Sequence, residues 1–415
     1  MAHPISQVRQ AGGFALRLYG ERARGEFNAY VRRDQFSRLR HRPGRDDPYP
    51  IYEQIRGQGP FIGTRLGNLA SADHAVCREV LRSRRFGVQP EQSPVVDDDF
   101  DLSFLDRNPP DHTRLRRLAA PAFSPKQVAG YRATIERTVD QLLAGAPQEF
   151  DLVTALAAPL PIAVITELLG IPDADAEAFS RYGRVIGGAL GGVHSLGQVR
   201  ALVRANADLR RIFEDLFELR RRDPREDLIS HLVTAEGDQI SPAEMVPLCT
   251  LLLIAGFETT VNLVGNAVNA LLDNPDQWQR LRDDPDLAAG ATHETLRFDP
   301  PVQRTVRISF DDTELAGQRV RSGQFVHVLL GGANRDPLVF DRPSRFDITR
   351  TDAGEHLAFS SGIHHCLGRP LAELEAAVAL ERLAVAMPGL RRAGAVRRRN
   401  ATLIRGPVRL PVAQR

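Results

Sequence analysis

One helix in this sequence is long enough to cross a whole domain, and the residues that start and end it can be identified. The segment Ser241–Glu244 has the form of a capping box, with proline at the first helical position. The helical pattern continues to about Leu272 and stops before Asn274–Pro275. At about 1.5 Å per residue, such a helix would be about 45 Å long.

The centre of this helix contains residues that a buried helix normally avoids. Gly256 costs about 1 kcal/mol relative to alanine in a helix interior, and Glu258, Thr259 and Thr260 follow it closely. Two interpretations are open from this segment alone. Either local rules are broken here because the segment has a function, or small residues mark a crossing point between core helices.

The rest of the chain is also dominated by helical patterns, and its strand-like segments are short. No solenoid repeat and no long low-complexity linker divides it. We therefore expect a mainly α protein with small β-sheets. Residues 1–45 are predicted to form an N-terminal segment that is partly mobile, and residues 46–415 a single domain. Further helices are expected at 125–143, 157–169, 196–222 and 371–386, and strands at 61–65, 306–310, 325–330 and 402–412.

The composition favours a soluble protein of the cytoplasm. The 415 residues are 42% hydrophobic and carry a formal charge of only +2, which does not favour nucleic-acid binding. An odd count of three cysteines fits a reducing compartment, and Cys77 and Cys249 are interpreted as inert buried thiols. Met1–Gly20 lacks the apolar core of a signal peptide. The longest apolar run, Leu248–Phe257, is shorter than the roughly 20 residues of a membrane anchor.

The segment Phe359–Ala372 has the most specific pattern in the chain. It has the form F-x-x-G-x-H-x-C-x-G-x-x-L-A, with every fixed position filled. Gly362 and Gly368 allow a tight turn and the close approach of a ligand, and Pro370 favours the start of a helix. Cys366 is therefore expected near a helix N-terminus, where the helix dipole favours a thiolate.

This segment resembles the haem-binding loop of the cytochromes P450, and further motifs in the right order extend the resemblance over nearly the whole chain. The resemblance implies the cytochrome P450 fold, with haem b between the long central helix and the helix after the cysteine loop. It implies that Cys366 is the protein ligand to the haem iron, since a thiolate favours O–O cleavage. Phe359 would shield the sulfur from water. Two residues depart from the family's pattern, because Ser360 replaces a frequent glycine and Glu373 a frequent arginine.

A second motif is similar to a structural element of the same family. Glu294 and Arg297 match its E-x-x-R helix, and Arg345 lies in a segment that resembles the one supplying a second arginine to that glutamate. A buried carboxylate between two guanidinium groups can accept forked hydrogen bonds from both. The implied role of these three residues is to brace the core beside the haem.

The resemblance also implies which residues bind the haem propionates. His112 and Arg116 match the family's H-x-x-x-R helix, and their i, i+4 spacing places both on one helix face. Arg307 and His364 are the other two expected propionate contacts. The remaining residues expected to contact the haem are Ala255, Gly256, Phe359, Gly362 and Gly368.

Residues Ala255–Thr260 resemble the family's A-G-x-[DE]-T-T segment, which favours the functional interpretation of the long helix. Gly256 would permit a local widening of the helix, in which a helical hydrogen bond is given up to make room for dioxygen. Thr259 would donate a hydrogen bond to dioxygen, and Glu258 would connect the site to solvent protons.

The implied activity is that of a bacterial monooxygenase of secondary metabolism, which inserts one atom of O₂ into a C–H bond or an alkene. The electrons of NAD(P)H would arrive through a ferredoxin and a ferredoxin reductase, and Arg114, Arg117 and Arg369 could form part of a basic surface for this partner. The protein is expected to be a monomer. Two alternatives are a peroxide-dependent peroxygenase and a non-catalytic, haem-bearing recruitment module, and relatives of both kinds usually lack the acid–threonine pair.

The substrate is expected to be an apolar small molecule, because ligand pockets are mostly apolar. A polyketide, a terpenoid, a steroid and a fatty acid fit equally well. Arg304 is expected to point to solvent. By resemblance, the substrate pocket would be lined by Leu251, Ala255, Val302, Gln303 and Leu403.

Overall fold

The computed structural model describes residues 19–42, 44–90, 101–171, 176–189, 193, 195–398 and 402–414. Of the predicted N-terminal segment 1–45, residues 1–18 and 43 lie outside the described residues, and the rest contains helices at 19–30 and 35–39; its predicted mobility stays a prediction. The described chain is mainly helical with small sheets, as the sequence predicts.

Helices form most of the described structure. The helices predicted at 125–143, 157–169, 196–222 and 371–386 are present, and their ends differ from the predicted ones by at most two residues. The helices in chain order are α1 (residues 19–30), α2 (Gln35–Leu39), α3 (Tyr49–Arg56), α4 (His74–Arg82), α5 (Asp111–Ala119), α6 (Pro125–Ala144), α7 (Pro159–Leu169), α8 (Ala176–Ala189), α9 (Leu196–Arg222), α10 (Leu228–Thr234), α11 (Pro242–Asp273), α12 (Pro275–Asp283), α13 (Ala288–Phe298), α14 (Leu330–Ala333) and α15 (Arg369–Ala386).

The strands are short and come from both ends of the chain. The largest sheet has the order β1-β2-β8-β5-β3, in which β2 and β8 are parallel and the other pairs antiparallel. The order of the three-stranded sheet is β4-β12-β9. Strands β6-β7 and β10-β11 form two separate two-stranded sheets. The strands are β1 (Ile62–Gly63), β2 (Leu69–Ser71), β3 (Phe86–Gly87), β4 (Glu149–Asp151), β5 (Thr305–Ser309), β6 (Thr313–Leu315), β7 (Gln318–Val320), β8 (Phe325–Val328), β9 (Arg391–Arg392), β10 (Arg397–Arg398), β11 (Pro407–Arg409) and β12 (Pro411–Ala413).

Helix α11 is the central element of the core. It runs for 32 residues and packs against α7, α8, α13 and α15. Among the described residues it is the one helix long and apolar enough to span a membrane, but 83% of its most apolar window is buried inside the protein. A helix that is apolar on all sides and covered by other helices is typical of the core of a large protein.

The start of α11 is fixed by the capping box that the sequence predicts. The Glu244 carboxylate accepts hydrogen bonds from the Ser241 amide (2.9 Å) and hydroxyl (2.8 Å). It also accepts two from the Arg114 guanidinium, at 2.6 and 3.2 Å. Arg114 therefore joins α5 to α11. Burial alone would raise the pKa of Glu244, but these hydrogen bonds outweigh it and hold the pKa at about 2.

We expect Glu244→Gln to lower the free energy of unfolding by about 1–2 kcal/mol at pH 7, because the cap and the partly exposed ion pair both weaken. A carboxylate with a depressed pKa stabilises the fold above its ordinary pKa, and this contribution is lost as the pH falls through about 2. The difference between the two proteins should therefore shrink below about pH 4.5. Denaturant titrations at several pH values measure it, with Glu79→Gln, an exposed position on α4, as the control. A difference that does not depend on pH would contradict this account.

Candidate functional site

The cysteine loop is a compact turn that leads directly into α15. Its first part, Gly362–His364, is a 3₁₀ turn, and the Cys366 amide donates a 2.9 Å hydrogen bond to the Phe359 carbonyl. Gly362 has a φ of +70°, and a Cβ atom there would collide with the Leu81 carbonyl. Glycine is therefore required at this position, both for the turn and for the contact with α4.

The backbone conformations at Gly368 and Ser360 differ from those that the sequence pattern of the loop suggests. Gly368 has a φ of −81°, and a Cβ atom there would lie 3.7 Å from Phe123. The turn itself therefore does not require glycine at 368, and the prediction for this residue is wrong in that respect. Ser360, in contrast, has a φ of +62°. A side chain in this left-handed region is strained by about 1–2 kcal/mol, which explains why a glycine is frequent there in the loop that this one resembles.

The Cys366 thiol borders an enclosed space. Its side chain is exposed, yet burial is the largest influence on its pKa and raises it. Both observations hold if the exposed surface faces a cavity inside the protein rather than bulk solvent. The Gly368 and Arg369 amides and the Arg116 guanidinium lower the pKa without reversing the net shift. Metal coordination would complete the deprotonation, since a coordinated thiol loses its proton.

The other two cysteines lack such surroundings. Cys77 and Cys249 are both fully buried in the apolar core. Burial raises the pKa of Cys77 to about 12 and that of Cys249 further. Both are inert thiols by this criterion.

The four predicted propionate contacts lie together in the structure. The His112 and His364 rings are 4.3 Å apart between centroids, and Arg116 and Arg307 are close enough to lower the pKa of both histidines. Burial is the larger cause, and the pKa of His364 falls to about 3. The Ile363 backbone slightly opposes the shift at His112, but its contact with the ring lacks hydrogen-bond geometry. The result is a buried group of donors from α5, β5 and the cysteine loop.

Several polar atoms of this group have no partner. Neither ring nitrogen of His112, which is 2% exposed, has a hydrogen bond, and neither does Nε2 of His364. Arg307 donates to Thr305 and to the Val306 carbonyl beside it, while burial lowers its pKa to about 10. Across the described ranges, no acidic side chain pairs with Arg307 or Arg116. Buried donors in this state require an anionic ligand or water.

The centre of α11 has an accessible surface where its neighbours are buried. Ala255 is exposed, whereas Ile254 is 4% and Phe257 1% exposed. The Thr259 hydroxyl donates a 2.9 Å hydrogen bond to the Ala255 carbonyl. A hydroxyl has a single proton. While Thr259 donates it to Ala255, the hydroxyl oxygen can only accept a hydrogen bond from a group at the accessible surface beside Ala255.

The helix is not widened at Gly256, which corrects the prediction of a local widening there. All residues of α11 are α-helical. A Cβ atom at Gly256 would lie 2.7 Å from the Ile165 side chain, so α7 crosses close to α11 at this point. The sequence leaves two interpretations of this segment open, a crossing point of small residues or a functional segment. The structure shows the crossing point, and it lies in the same segment as the residues with a proposed function.

Glu258 is held by residues that the sequence does not single out. Its carboxylate is 2% exposed and accepts a 3.3 Å hydrogen bond from the Asn262 amide. A Cβ atom at Gly187 would lie 2.9 Å from the Glu258 side chain, and one at Gly183 would meet Phe257. The spacing of the two glycines, one turn apart on α8, leaves the groove that this carboxylate occupies. The i, i+4 spacing of these two glycines in a helical segment is the sequence signal that could have indicated this groove.

The predicted brace is present, but its second arginine is not Arg345. Arg297 donates two hydrogen bonds to Glu294, at 2.7 and 2.8 Å, and both side chains are completely buried. Arg345 contributes its backbone carbonyl to Arg297 (3.0 Å), while its own side chain is 48% exposed and lies beside Asp347. The second guanidinium is that of Arg350, with Nε 3.5 Å from Glu294. The chain turns at Asp347, whose amide also donates to Glu294, and so directs Arg350 inward.

Known proteins are similar to this chain over most of its length. Cytochrome P450 107B1 of Saccharopolyspora erythraea is 37% identical over 398 residues, which cover 92% of this chain and 95% of the relative. The chain belongs to the cytochrome P450 family. The family model matches residues 198–384. The cytochrome P450 monooxygenase PikC of Streptomyces venezuelae is 38% identical over 362 residues, covering 83% of this chain and 85% of PikC. The solved P450BioI, in complex with acyl carrier protein ligated to hexadec-9Z-enoic acid, superposes with a TM-score of 0.84 at 34% identity, covering 89% and 99% of the two chains.

As a cytochrome P450 the chain implies haem, and the unsatisfied polar atoms fit that group. Ring nitrogens of His112 and His364 have no hydrogen-bond partner, and Arg307 donates only to hydroxyl and carbonyl oxygens, so among the described residues this group lacks an anionic acceptor. Propionate carboxylates would supply such acceptors, and Cys366 would supply the iron ligand. When bound, haem with a thiolate ligand supplies dioxygen binding and O–O bond cleavage.

The predicted substrate pocket of this P450 is only partly supported by the side-chain positions. Ala255 is accessible, Val302 and Leu403 are half-buried, and Leu251 is 6% exposed. Gln303 does not line the pocket, which corrects the prediction for it. It is 2% exposed and its amide contacts the Tyr52 hydroxyl (3.2 Å) and donates to the Pro300 carbonyl (2.8 Å).

Arg304 is also placed differently from the expectation, because it is buried and not solvent-facing. It is 9% exposed and donates to the Thr402 hydroxyl at 2.8 Å, and burial lowers its pKa to about 10. Residues 303 and 304 both precede β5, which begins at Thr305. The alternation of buried and exposed side chains along a strand therefore does not predict the directions of these two side chains.

Proposed function

We propose that this P450 is a cytoplasmic monooxygenase that inserts one atom of O₂ into a C–H bond or an alkene of an apolar small molecule. The substrate would belong to the polyketide, terpenoid, steroid or fatty-acid class. Two electrons per turnover would come from NAD(P)H through a ferredoxin and a ferredoxin reductase. The observation that carries the proposal is the Glu258–Thr259 pair on α11, beside the accessible surface at Ala255.

The chemistry of these residues supports an O₂-dependent reaction over a peroxide-dependent one. Cleavage of dioxygen to water requires protons, and a hydroxyl next to a buried carboxylate is suited to deliver them. The Thr259 hydroxyl would have to give up its hydrogen bond to the Ala255 carbonyl to hold a proton at the accessible surface, and Glu258 would replace that proton from the α8 side. A peroxygenase receives its oxygen already reduced and does not need this route.

Similarity to known P450 enzymes supports the substrate class. P450BioI was solved with an acyl carrier protein that is ligated to hexadec-9Z-enoic acid, and an apolar chain of this kind would be compatible with the accessible, apolar Ala255. Val302 and Leu403 are apolar and half-buried, so both can contact such a group. The proposal therefore specifies a class of apolar substrates and no single compound.

The surface expected to bind the redox partner is less basic than the sequence suggests. Arg114 pairs with Glu244 (2.6 Å) and Arg369 with Glu373 (2.8 Å), so their charges are largely neutralised. Arg117 is exposed on α5. We propose that an acidic ferredoxin would be attracted by Arg117 rather than by all three arginines.

The function is tested by supplying the holoprotein with two oxidant systems. Apolar compounds are first screened for a shift of the haem absorption band, and those that bind are incubated either with O₂, NAD(P)H, ferredoxin and reductase or with hydrogen peroxide. We expect oxygenated product in the first system. Product from peroxide alone would replace the proposal by a peroxygenase, and the absence of product in both would favour a recruitment module.

Thr259→Ala is expected to uncouple electron use from product formation. The variant should keep its haem and still consume NAD(P)H, while product per electron pair falls by about tenfold or more and hydrogen peroxide rises. Thr259→Ser retains the hydroxyl and serves as the matched control, with coupling close to that of the parent protein. Equal coupling in the alanine variant would remove Thr259 from the proposed proton route.

A further inference from the structure

Three potential metal ligands from α13, α15 and the segment before the cysteine loop lie close together. His293 lies on α13, directly before Glu294, His356 precedes the cysteine loop, and Glu373 lies on α15, four residues after its start at Arg369. One ligand atom from each lies within 4.8 Å of the other two. The His293 Nδ1 and Glu373 Oε1 atoms are 3.7 Å apart, and the two imidazole centroids are separated by 5.8 Å.

Two imidazole nitrogens of this group are buried without a partner. His356 is 7% exposed and its Nε2 atom has no hydrogen bond, and the same is true of Nδ1 of His293. At 3.7 Å the contact between His293 and Glu373 is too long for a hydrogen bond. Buried polar atoms normally have partners, and a group that lacks them indicates water or an ion.

The surroundings of His356 suit a metal ligand. Burial is the main cause that lowers the pKa of His356, to about 3, and the neighbouring His293 and Arg369 lower it further. The ring is therefore neutral, as a metal ligand must be. Its Nδ1 lies 3.3 Å from the Ala358 amide, a long hydrogen bond that would be given up when the ring proton moves to Nδ1. The His356 backbone carbonyl is in reach of the ring as an alternative acceptor.

We propose that His293, His356 and Glu373 bind one Zn²⁺ ion, with water at the fourth position. Two histidines and one glutamate form a known type of open tetrahedral zinc site, with ligand atoms about 2.0–2.2 Å from the metal. Such atoms lie roughly 3.3–3.5 Å from one another in a tetrahedron. The 3.7 Å pair is near this distance, and the other two separations, at most 4.8 Å, need a small side-chain movement to reach it. Glu373, which is 23% exposed, has the freedom to make that movement.

One residue opposes metal binding in a way that can be tested. The Arg369 guanidinium donates a 2.8 Å hydrogen bond to Oε1 of Glu373, one of the oxygens a metal would use. Arg369 and the ion therefore compete for the same carboxylate. Removal of the guanidinium should strengthen zinc binding at this site, whereas binding elsewhere on the surface would not respond.

Zinc bound here would link three segments around the cysteine loop. These are the helix that carries Glu294, the segment that leads into the loop, and the helix that follows it. The His356 ring also contacts Phe359, with 5.8 Å between centroids. Zinc should therefore raise the melting temperature of the holoprotein, whether or not the proposed oxygenase activity is correct.

The experiment uses the haem-loaded protein after treatment with a chelator. Zn²⁺ is titrated by calorimetry, thermal melting is followed by haem absorbance, and anomalous diffraction at the zinc edge locates the ion. We expect one equivalent of zinc bound between the three residues. His293→Gln and Glu373→Gln should each weaken binding by at least about tenfold, and Arg369→Ala should strengthen it by roughly tenfold.

Two control variants test the specificity of this result. His231→Gln on α10 and Glu381→Gln on α15 replace the same residue types elsewhere and should leave zinc affinity unchanged. The proposal is overturned if His293→Gln and Glu373→Gln bind zinc as the parent does, or if the anomalous peak lies at other surface histidines. Weaker binding by Arg369→Ala would also overturn it, because Arg369 would then support the site rather than compete with the ion.

Discussion

Replacing Arg297 with alanine is expected to leave little folded, haem-loaded protein. The side chain is completely buried and makes two hydrogen bonds to Glu294. It also donates to the backbone carbonyls of Asn334 (3.2 Å), Pro343 (2.8 Å) and Arg345 (3.0 Å). Its removal leaves a buried carboxylate with the Asp347 amide and the more distant Arg350 as partners, and breaking a buried ion pair costs about 3–5 kcal/mol.

A loss of this size is a large part of the stability of an ordinary protein, which is about 5–15 kcal/mol. The measurement is haem content per protein together with the free energy of unfolding in denaturant. Arg297→Lys should recover only part of the stability, because a lysine cannot reproduce the two parallel hydrogen bonds of a guanidinium.

Two neighbouring arginines provide matched controls. Arg345→Ala should change stability by less than about 0.5 kcal/mol, since its exposed side chain is not required for the backbone contact to Arg297. Arg350→Ala should cost about 1–3 kcal/mol, because its 3.5 Å contact to Glu294 is longer but buried. Normal haem content in Arg297→Ala, or equal damage from Arg345→Ala, would contradict the proposed brace.

The helices, and the grouping of the predicted propionate contacts, could largely be predicted from the sequence because their signals are local. The capping box at Ser241–Glu244 and the asparagine and proline after Asp273 define α11 without any tertiary information. His112 and Arg116 share a face of α5 because of their spacing alone. In each case the residues that determine the structure are within one or two helical turns of one another.

The predictions that were wrong depend on contacts between distant parts of the chain. Both Arg345 and Arg350 follow the E-x-x-R helix at plausible distances, and only the turn at Asp347 decides which one faces Glu294. Gln303 lies before a strand begins, so the alternation rule gives no information on its direction. The role of Gly256 depends on Ile165, about ninety residues earlier in the chain.

The proposed zinc ligands could not be predicted from the sequence for the same reason. His293, His356 and Glu373 come from two helices and a loop, and their spacing has no metal-ligand pattern. In the sequence, Glu373 differs from its surroundings only as a departure from the family's frequent arginine. Its significance depends on the position of His293, which only the packing of α13 against α15 provides.

Replacing Cys366 with alanine is expected to abolish the thiolate character of the haem site, and this is the central claim of the account. Cys366 is the one cysteine of the three whose thiol is exposed, and the Arg116 guanidinium and two backbone amides favour its charged form. Cys77→Ala and Cys249→Ala are controls that change buried thiols and should leave the haem spectrum unaltered. Cys366→His keeps a metal-binding side chain at the same position and distinguishes loss of the thiolate from loss of the fold.

The most direct test is the absorption spectrum of the reduced carbon monoxide complex of these proteins. We expect the thiolate-type band in the parent protein and in Cys77→Ala and Cys249→Ala, and its absence in Cys366→Ala and in a folded, haem-containing Cys366→His. A thiolate-type band that persists in Cys366→Ala would contradict the assignment of Cys366 as the iron ligand.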